Sequence, residues 1–297
     1  MSESKTELDA FIAQELKNGA GVRFPVKTGM LKRLFTKKAR CRDLHPNPED
    51  EFCMPGIGPS YRIISEYKQK FMKDLQYSQY FDNEPVIVER IHPDGYMIIN
   101  GHHRWAAAMG IGQSMIPVRI VNLMHEADVK KILNNSKHVK RAAIDLDEVV
   151  FCADEGLLEK PPHFPWNRLY KLRVRRGIPA LFHTLAKNGY DIWLYSSDYY
   201  STDYIKGFFH KYRVGVTGVI SAIGKRQKSK EGFGGGLEKQ ITEKYKTTVH
   251  IDMGSVLEID GETKEFRDRA LSFEGGDWAK EVIAAIEELE KQKEGSA

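Results

Sequence analysis

Cysteine is scarce in this chain. Cys41, Cys53 and Cys152 are three thiols in 297 residues, an odd number without CxxC spacing. That pattern excludes a disulfide framework and a zinc knuckle, and it fits incidental thiols in a reducing, cytoplasmic setting. Long apolar runs are also missing. No stretch approaches the roughly eighteen residues that a membrane-spanning helix needs. The opening MSESKTELDAF carries Ser, Glu, Lys and Asp where a signal peptide has its apolar core. There is no GxxxxGK[ST] segment, which excludes a P-loop nucleotide site. Nor is there a strong excess of one charge. Forty-five Lys and Arg against 41 Asp and Glu leave +4, compatible with an anionic partner and far from a histone-like tail.

What is present is the composition of a soluble globular protein, 41% hydrophobic and 29% charged, enough for two cores. Residues 5–19 have helical spacing and end at Gly19. From Arg23 to Arg42 there are eight Lys or Arg and no acid, interleaved with Phe24, Leu31, Leu34 and Phe35. Residues 44–58 (LHPNPEDEFCMPGIG) read as loop. A helix follows over 60–77, then the strands EPVIVERI and YMIIN joined through Asp94-Gly95, a hairpin signal. GHHRWAAAMGIG turns into an Ala-rich helix, and IPVRIV closes the unit. A helical connector over 124–139 puts the domain boundary near 138. The second half, 139–297, alternates strands (AAIDLDEVVF, YDIWLYSS, GVTGVIS, TTVHID) with helices. That alternation predicts an α/β fold with a parallel sheet covered on both faces, whose ligands sit at the carboxyl ends of the strands.

A strand ending at Gly101 and a helix starting near His103 aim unsatisfied N–H groups at one spot, an arrangement suited to phosphate. Gly101 permits close approach, Arg104 offers a bidentate donor, and His102 and His103 can donate or shuttle protons. With the LHPNP loop, the EPVIVERI…DGYMIINGHHRWAAAMGIG core and IPVRIV, residues 41–122 resemble the ParB/sulfiredoxin superfamily. The resemblance implies an α+β domain and nucleotide binding by Gly101, His102, His103 and Arg104. Sulfiredoxins need Cys after the motif glycine, where this chain has His102, so a reductase is excluded. The GHHR form is similar to free-serine kinases, which implies ATP or another NTP or ADP as donor. It also implies a glutamate base from the early loop, here Glu49 or Glu51, with Asp50 able to join a Mg²⁺ site.

Asp145 and Asp147 end an apolar strand two residues apart, so a regular strand points both to one side. One carboxylate can attack phosphorus while the other handles the leaving-group proton. Ser196 ends DIWLYS, Lys239 lies in the next helix, and Asp252 ends TTVHID. This order resembles the haloacid dehalogenase (HAD) superfamily across 140–290. The resemblance implies a Rossmannoid domain, catalytic Asp145, Asp147, Ser196 and Lys239, and Mg²⁺ held by Asp145, Asp147 and Asp252. Glu148 stands where the family has glycine, and Met253 where it often has a second acid. Glu258 and Asp260 are substitutes at the wrong spacing, and Lys230 and Lys244 compete with Lys239. About thirty residues separate Asp147 from the next long helix, too few for a large cap. An uncapped site implies a macromolecular substrate.

A kinase-like half and a phosphatase-like half would oppose each other on one metabolite, whereas on nucleic-acid ends, DNA or RNA, they are complementary. The expectation is therefore a bifunctional 5′-kinase and 3′-phosphatase for end healing. The Arg23–Arg42 and Lys225–Lys246 segments would contact the backbone, and Trp105, Trp166, Tyr199 and Tyr200 are candidates to stack a base. The alternatives are a free-serine-type kinase with a degenerate partner domain and a nucleotide-gated DNA-binding module. A ParB-like nuclease is a weaker alternative.

Overall fold

A computed structural model describes residues 7–76, 84–151, 155–223, 233–272 and 278–294. Cys152, Lys230 and the rest of 224–232, part of the Lys225–Lys246 segment, lie outside them. The chain divides into two units, Met1–Asn122 and Leu123–Ala297, and both are mixed α/β with a multi-stranded sheet.

The first unit begins with α1 (Glu7–Gly19), β1 (Phe24–Pro25), α2 (Met30–Phe35), β2 (Lys38–Arg40) and β3 (Leu44–His45). It continues through α3 (Tyr61–Gln76), β4 (Val86–His92), β5 (Tyr96–Asn100), α4 (His102–Gly110) and β6 (Met115–Ile120). The sheet order is β2-β6-β4-β5-β3, with β1 also paired to β4. The expected hairpin is β4–β5, antiparallel, and its turn uses Gly95 at φ 82°. A side chain there would meet the Asp43 carbonyl at 2.7 Å, so glycine is needed for both conformation and space. α4 carries the chain from β5 across β4 to β6, which runs parallel to β4. Val86, Val88 and Ile98 of the sheet pack with Ile64 and Phe71 of α3 and with Trp105 and Ala106–Ala108 of α4. The alanines let the helix lie close to its neighbours.

The second unit contains α5 (Glu126–Asn135), β7 (Lys140–Asp145), a wide turn over Leu146–Val150, α6 (Trp166–Leu169), α7 (Ile178–Lys187) and β8 (Tyr190–Tyr195). Then come α8 (Thr202–His210), β9 (Gly218–Ile220), α9 (Phe233–Lys244), β10 (Thr247–Ile251), β11 (Ser255–Asp260), β12 (Phe266–Ala270) and α10 (Trp278–Glu294). β10, β7, β8 and β9 are neighbours in that order and all parallel. The sheet is not wholly parallel as expected, because β11 and β12 extend it antiparallel beyond β10. Alternation along β8 separates its two faces. Ile192 and Leu194 join the core formed with α7, α8 and α10, while Trp193 joins α5 and α9.

The domain boundary falls at Asn122 rather than near 138. The connector is not a free linker: Val129 and Leu133 of α5 are buried with Trp193, Ile241 and Tyr245 of the second unit. Its polar tail concealed an apolar stripe that has partners far along the chain. Among the described residues no helix is long and apolar enough to cross a membrane. Ile241, fully buried on α9, tests this packing. Ile241→Ala is expected to lower the urea-unfolding free energy of the second unit by about 2–5 kcal/mol. A loss well under 1 kcal/mol would mean that the α5–α9 face is not packed.

Candidate functional sites

In the first unit, Gly101 adopts φ 102° between β5 and α4. A Cβ there would sit 2.9 Å from Arg104 Nη2. The early loop closes onto this turn through side-chain acceptors. The Asn47 N–H donates to His102 Nε2 at 3.1 Å, and the Ser60 N–H donates to His103 Nε2 at 3.0 Å. An accepting Nε2 puts the ring proton on Nδ1, and His102 Nδ1 lies 3.5 Å from Asp50 Oδ1. Asp50 also accepts the Phe52 N–H at 2.9 Å. Buried Phe52 stacks on His102 at 5.3 Å and meets His103 edge-on at 5.1 Å.

The two histidines are therefore anchors for the loop, and in this arrangement their Nε2 atoms are not available as donors to a phosphate. Arg104 is buried as well. Its Nη1 donates to the Glu84 carbonyl (2.5 Å) and carboxylate (3.0 Å), and its Nη2 donates to Asn100 Oδ1 (2.9 Å). Of the loop acids, Asp50 reaches the motif. Glu49 and Glu51 are both exposed, and the geometry does not choose between them. Asn47, Phe52 and Ser60 escaped the sequence reading. Phe52, an aromatic inside an acidic loop, was the available signal.

In the second unit, β7 ends at Asp145, whose Oδ1 accepts the N–H groups of Asp147 (2.8 Å) and Glu148 (2.7 Å). The turn is wide, since Phe151 N–H reaches back to the Leu146 carbonyl. It swings the Asp147 carboxylate to the end of β8. There Ser196 Oγ lies 3.0 and 2.9 Å from Asp147 Oδ1 and Oδ2. Ser197 donates to Oδ2 with its N–H at 2.9 Å and its hydroxyl at 3.0 Å. Ser196 is fully buried and accepts the Asp198 N–H. It holds Asp147. Ser197, exposed beside it, was missed, although the doubled serine at a strand end was visible.

Three other assignments are corrected. Lys239 is 74% exposed and its ammonium lies 3.8 Å from Glu243, away from the carboxylates. The inward face of α9 is taken by Ile241, and by Glu238 and Thr242 bonded to Arg141, so the residue after Glu238 faces outward. Asp252 follows Ile251, which pairs with Ile144, so it shares the sheet edge with Asp145. Its Oδ1 nonetheless turns back to the Met253 N–H. Among the described residues no group of three or more His, Cys, Asp or Glu is gathered to hold a metal. Asp145, Asp147 and Asp252 do not form a Mg²⁺ shell, because Asp147 faces the serines and Asp252 its own backbone. Glu258 and Asp260 do not replace them. β11 runs antiparallel, so Asp260 pairs with Thr247 and stands level with Lys140 at the opposite end of the strands.

Residues 72–136 match the family model described as the ParB N-terminal domain. The match runs from α3 to α5 and includes the Gly101 turn. No curated protein matches the chain. One similar solved structure is the C-terminally truncated chromosome-partitioning protein ParB from Caulobacter crescentus complexed to the centromeric parS site. It is 20% identical, with 35% of this chain and 51% of that chain covered and a TM-score of 0.23. This chain thus spans about half the length of that protein.

Burial pushes His102 down to about 4, with Asp50 opposing, and it lowers His103 in the same way. An unfolded histidine takes its proton near 6.5. The stabilisation is therefore complete above pH 6.5 and is lost as the pH falls from there toward 4. Urea titrations across this window are expected to give a falling midpoint for the parent. His102→Gln, whose amide oxygen can still accept the Asn47 N–H, is expected to flatten that slope. Equal slopes would remove His102 as the cause.

Proposed function

We propose that the chain is a bifunctional phosphoryl-transfer enzyme acting on nucleic-acid ends. The second unit is the 3′-phosphatase and the first an NTP-dependent 5′-hydroxyl kinase. The observation that carries the reading is the Asp145–Asp147–Ser196–Ser197 arrangement at the carboxyl edge of four parallel strands. It supports the HAD-like resemblance of this half and divides the chemical roles by atom.

Asp145 receives both turn N–H groups on Oδ1, which makes Oδ2 the attacking oxygen. As the Oδ2–P bond forms, the bond from phosphorus to the leaving oxygen breaks. Asp147 Oδ2 takes both Ser197 donors, while Oδ1 has only the shared Ser196 hydroxyl beside it, so Oδ1 is the oxygen that carries a proton to the leaving group. The Asp147 carboxylate then removes a proton from water. The water oxygen attacks phosphorus, the Oδ2–P bond breaks, and inorganic phosphate leaves with both acids restored. Ser196 and Ser197 position Asp147 throughout. No step here runs through Mg²⁺, for which the carboxylates are not gathered.

For the kinase, support comes from the Gly101 turn at the start of α4 and from the acidic loop pinned beside it by His102 and His103. In this reading ATP or another nucleotide meets the helix N-terminus. The same burial of His102 and Arg104 favours a second reading of this unit, a nucleotide-gated nucleic-acid-binding module without transfer.

The test is γ-labelled ATP with a 5′-hydroxyl, 3′-phosphate oligonucleotide, and free serine in parallel. Label on the oligonucleotide with loss of its 3′-phosphate is the expected result. Label on serine alone points to a metabolite kinase, and phosphate release without label leaves the first unit as a binding module. Asp145→Asn is expected to abolish phosphate release and spare labelling. Asp147→Asn is expected to slow phosphate release about 10²–10⁴-fold. Unchanged release in the Asp145→Asn variant would end the aspartyl-phosphate scheme.

A further inference from the structure

We propose that the exposed segment His163–Arg168 of the second unit is a stacking platform for the bases of single-stranded nucleic acid. The proposal rests on the reading that this unit acts on nucleic-acid ends, and it names the surface that would hold the strand. The segment sits in the stretch between Leu158 and Val174, and it is the flanks of that stretch that pair beside the turn carrying Asp147, through the bridges Phe151–Val174 and Leu158–Arg175. Arg175 also donates to the Val149 carbonyl at 3.0 Å. The flanks of the stretch that carries the platform are thus fastened beside the proposed catalytic turn.

Its two rings both face solvent. Phe164 is 69% exposed and Trp166 is 40% exposed. The other three tryptophans, Trp105, Trp193 and Trp278, are buried. This removes Trp105 as a stacking candidate, and Tyr199 is buried as well. Each exposed ring has a cation beside it. Lys211 Nζ is 3.6 Å from the centre of the Trp166 ring, and the Arg168 guanidinium carbon is 5.1 Å from that of Phe164. From Lys160 to Arg176 there are six Lys or Arg and no acid. A single strand presents to a protein flat, sequence-independent rings and a phosphate backbone. Two solvent-facing aromatics in an acid-free basic segment match both. An acidic protein partner or a second copy would answer the charge or the apolar surface, with no requirement for flat rings.

The experiment uses the full chain with a fluorophore-labelled 3′-phosphate single strand. Tryptophan emission is expected to be quenched on binding, since Trp166 is the exposed indole. Trp166→Ala and Phe164→Ala are expected to weaken binding by anisotropy, and to raise KM for 3′-phosphate release, about tenfold each. Both variants should leave kcat and the turnover of p-nitrophenyl phosphate unchanged, and Trp166→Phe should keep near-parental affinity. Parental affinity in both alanine variants would overturn the proposal. So would equal quenching by heparin, which has charge without bases, or quenching that grows with protein concentration alone. If neither phosphate ester is hydrolysed while binding still depends on Trp166, the platform stands and the phosphatase reading falls.

Discussion

The Asp145 carboxylate organises the end of its own strand. By accepting two successive N–H groups on one oxygen, it forces the chain out of the sheet direction and into a wide turn. Those N–H groups would otherwise be orphaned at the mouth of a parallel sheet, where an unmade hydrogen bond is costly. The turn is what takes Asp147 across to β8. In a regular strand the two acids would point side by side. Here they are separated in role because one holds backbone and the other faces two serines.

The first unit applies the same rule with a different residue type. Its long loop has little secondary structure of its own, so the loop N–H groups need acceptors from elsewhere. Two neutral histidines provide them, at the start of a helix where Gly101 brings the chain in close. Burial keeps these rings uncharged, and an uncharged Nε2 is what a backbone N–H requires. The cost is chemical: a histidine occupied in this way is not free to shuttle protons. What looks like a row of reactive groups in sequence is, in the fold, a hinge pin for the acidic loop.

Much of the architecture was readable beforehand. The hairpin around Asp94-Gly95, the strand–glycine–helix at Gly101 and the four parallel strands follow from local periodicity and turn chemistry. α5 packs with the second unit, ahead of the boundary expected near 138, because it carries its apolar residues on one stripe whose partners, Trp193 and Tyr245, lie far along the chain. The β11–β12 hairpin was missed because FRDRA, the solvent-facing edge strand, carries too little apolar signal to mark a partner for β11. Asp145, Asp147 and Ser196 were identified as a group, and the structure brings them together. Lys239 and the metal set were inferred from order along the chain, and order does not say which way a helix turns its side chains.

The sequence by itself determined where strands end, because alternating apolar residues stop at a polar pair or a glycine, and so it located the acids at one sheet edge. It also marked Gly101 as the turn between strand and helix, where the backbone takes φ 102°, a conformation that favours glycine. Only the tertiary structure decided what each polar side chain does. Ser196 turns to Asp147, Arg104 to Glu84, and His102 to Asn47, because each faces a partner that the fold brings from another part of the chain. A buried polar group takes the hydrogen bond within reach, and what is within reach is set by packing.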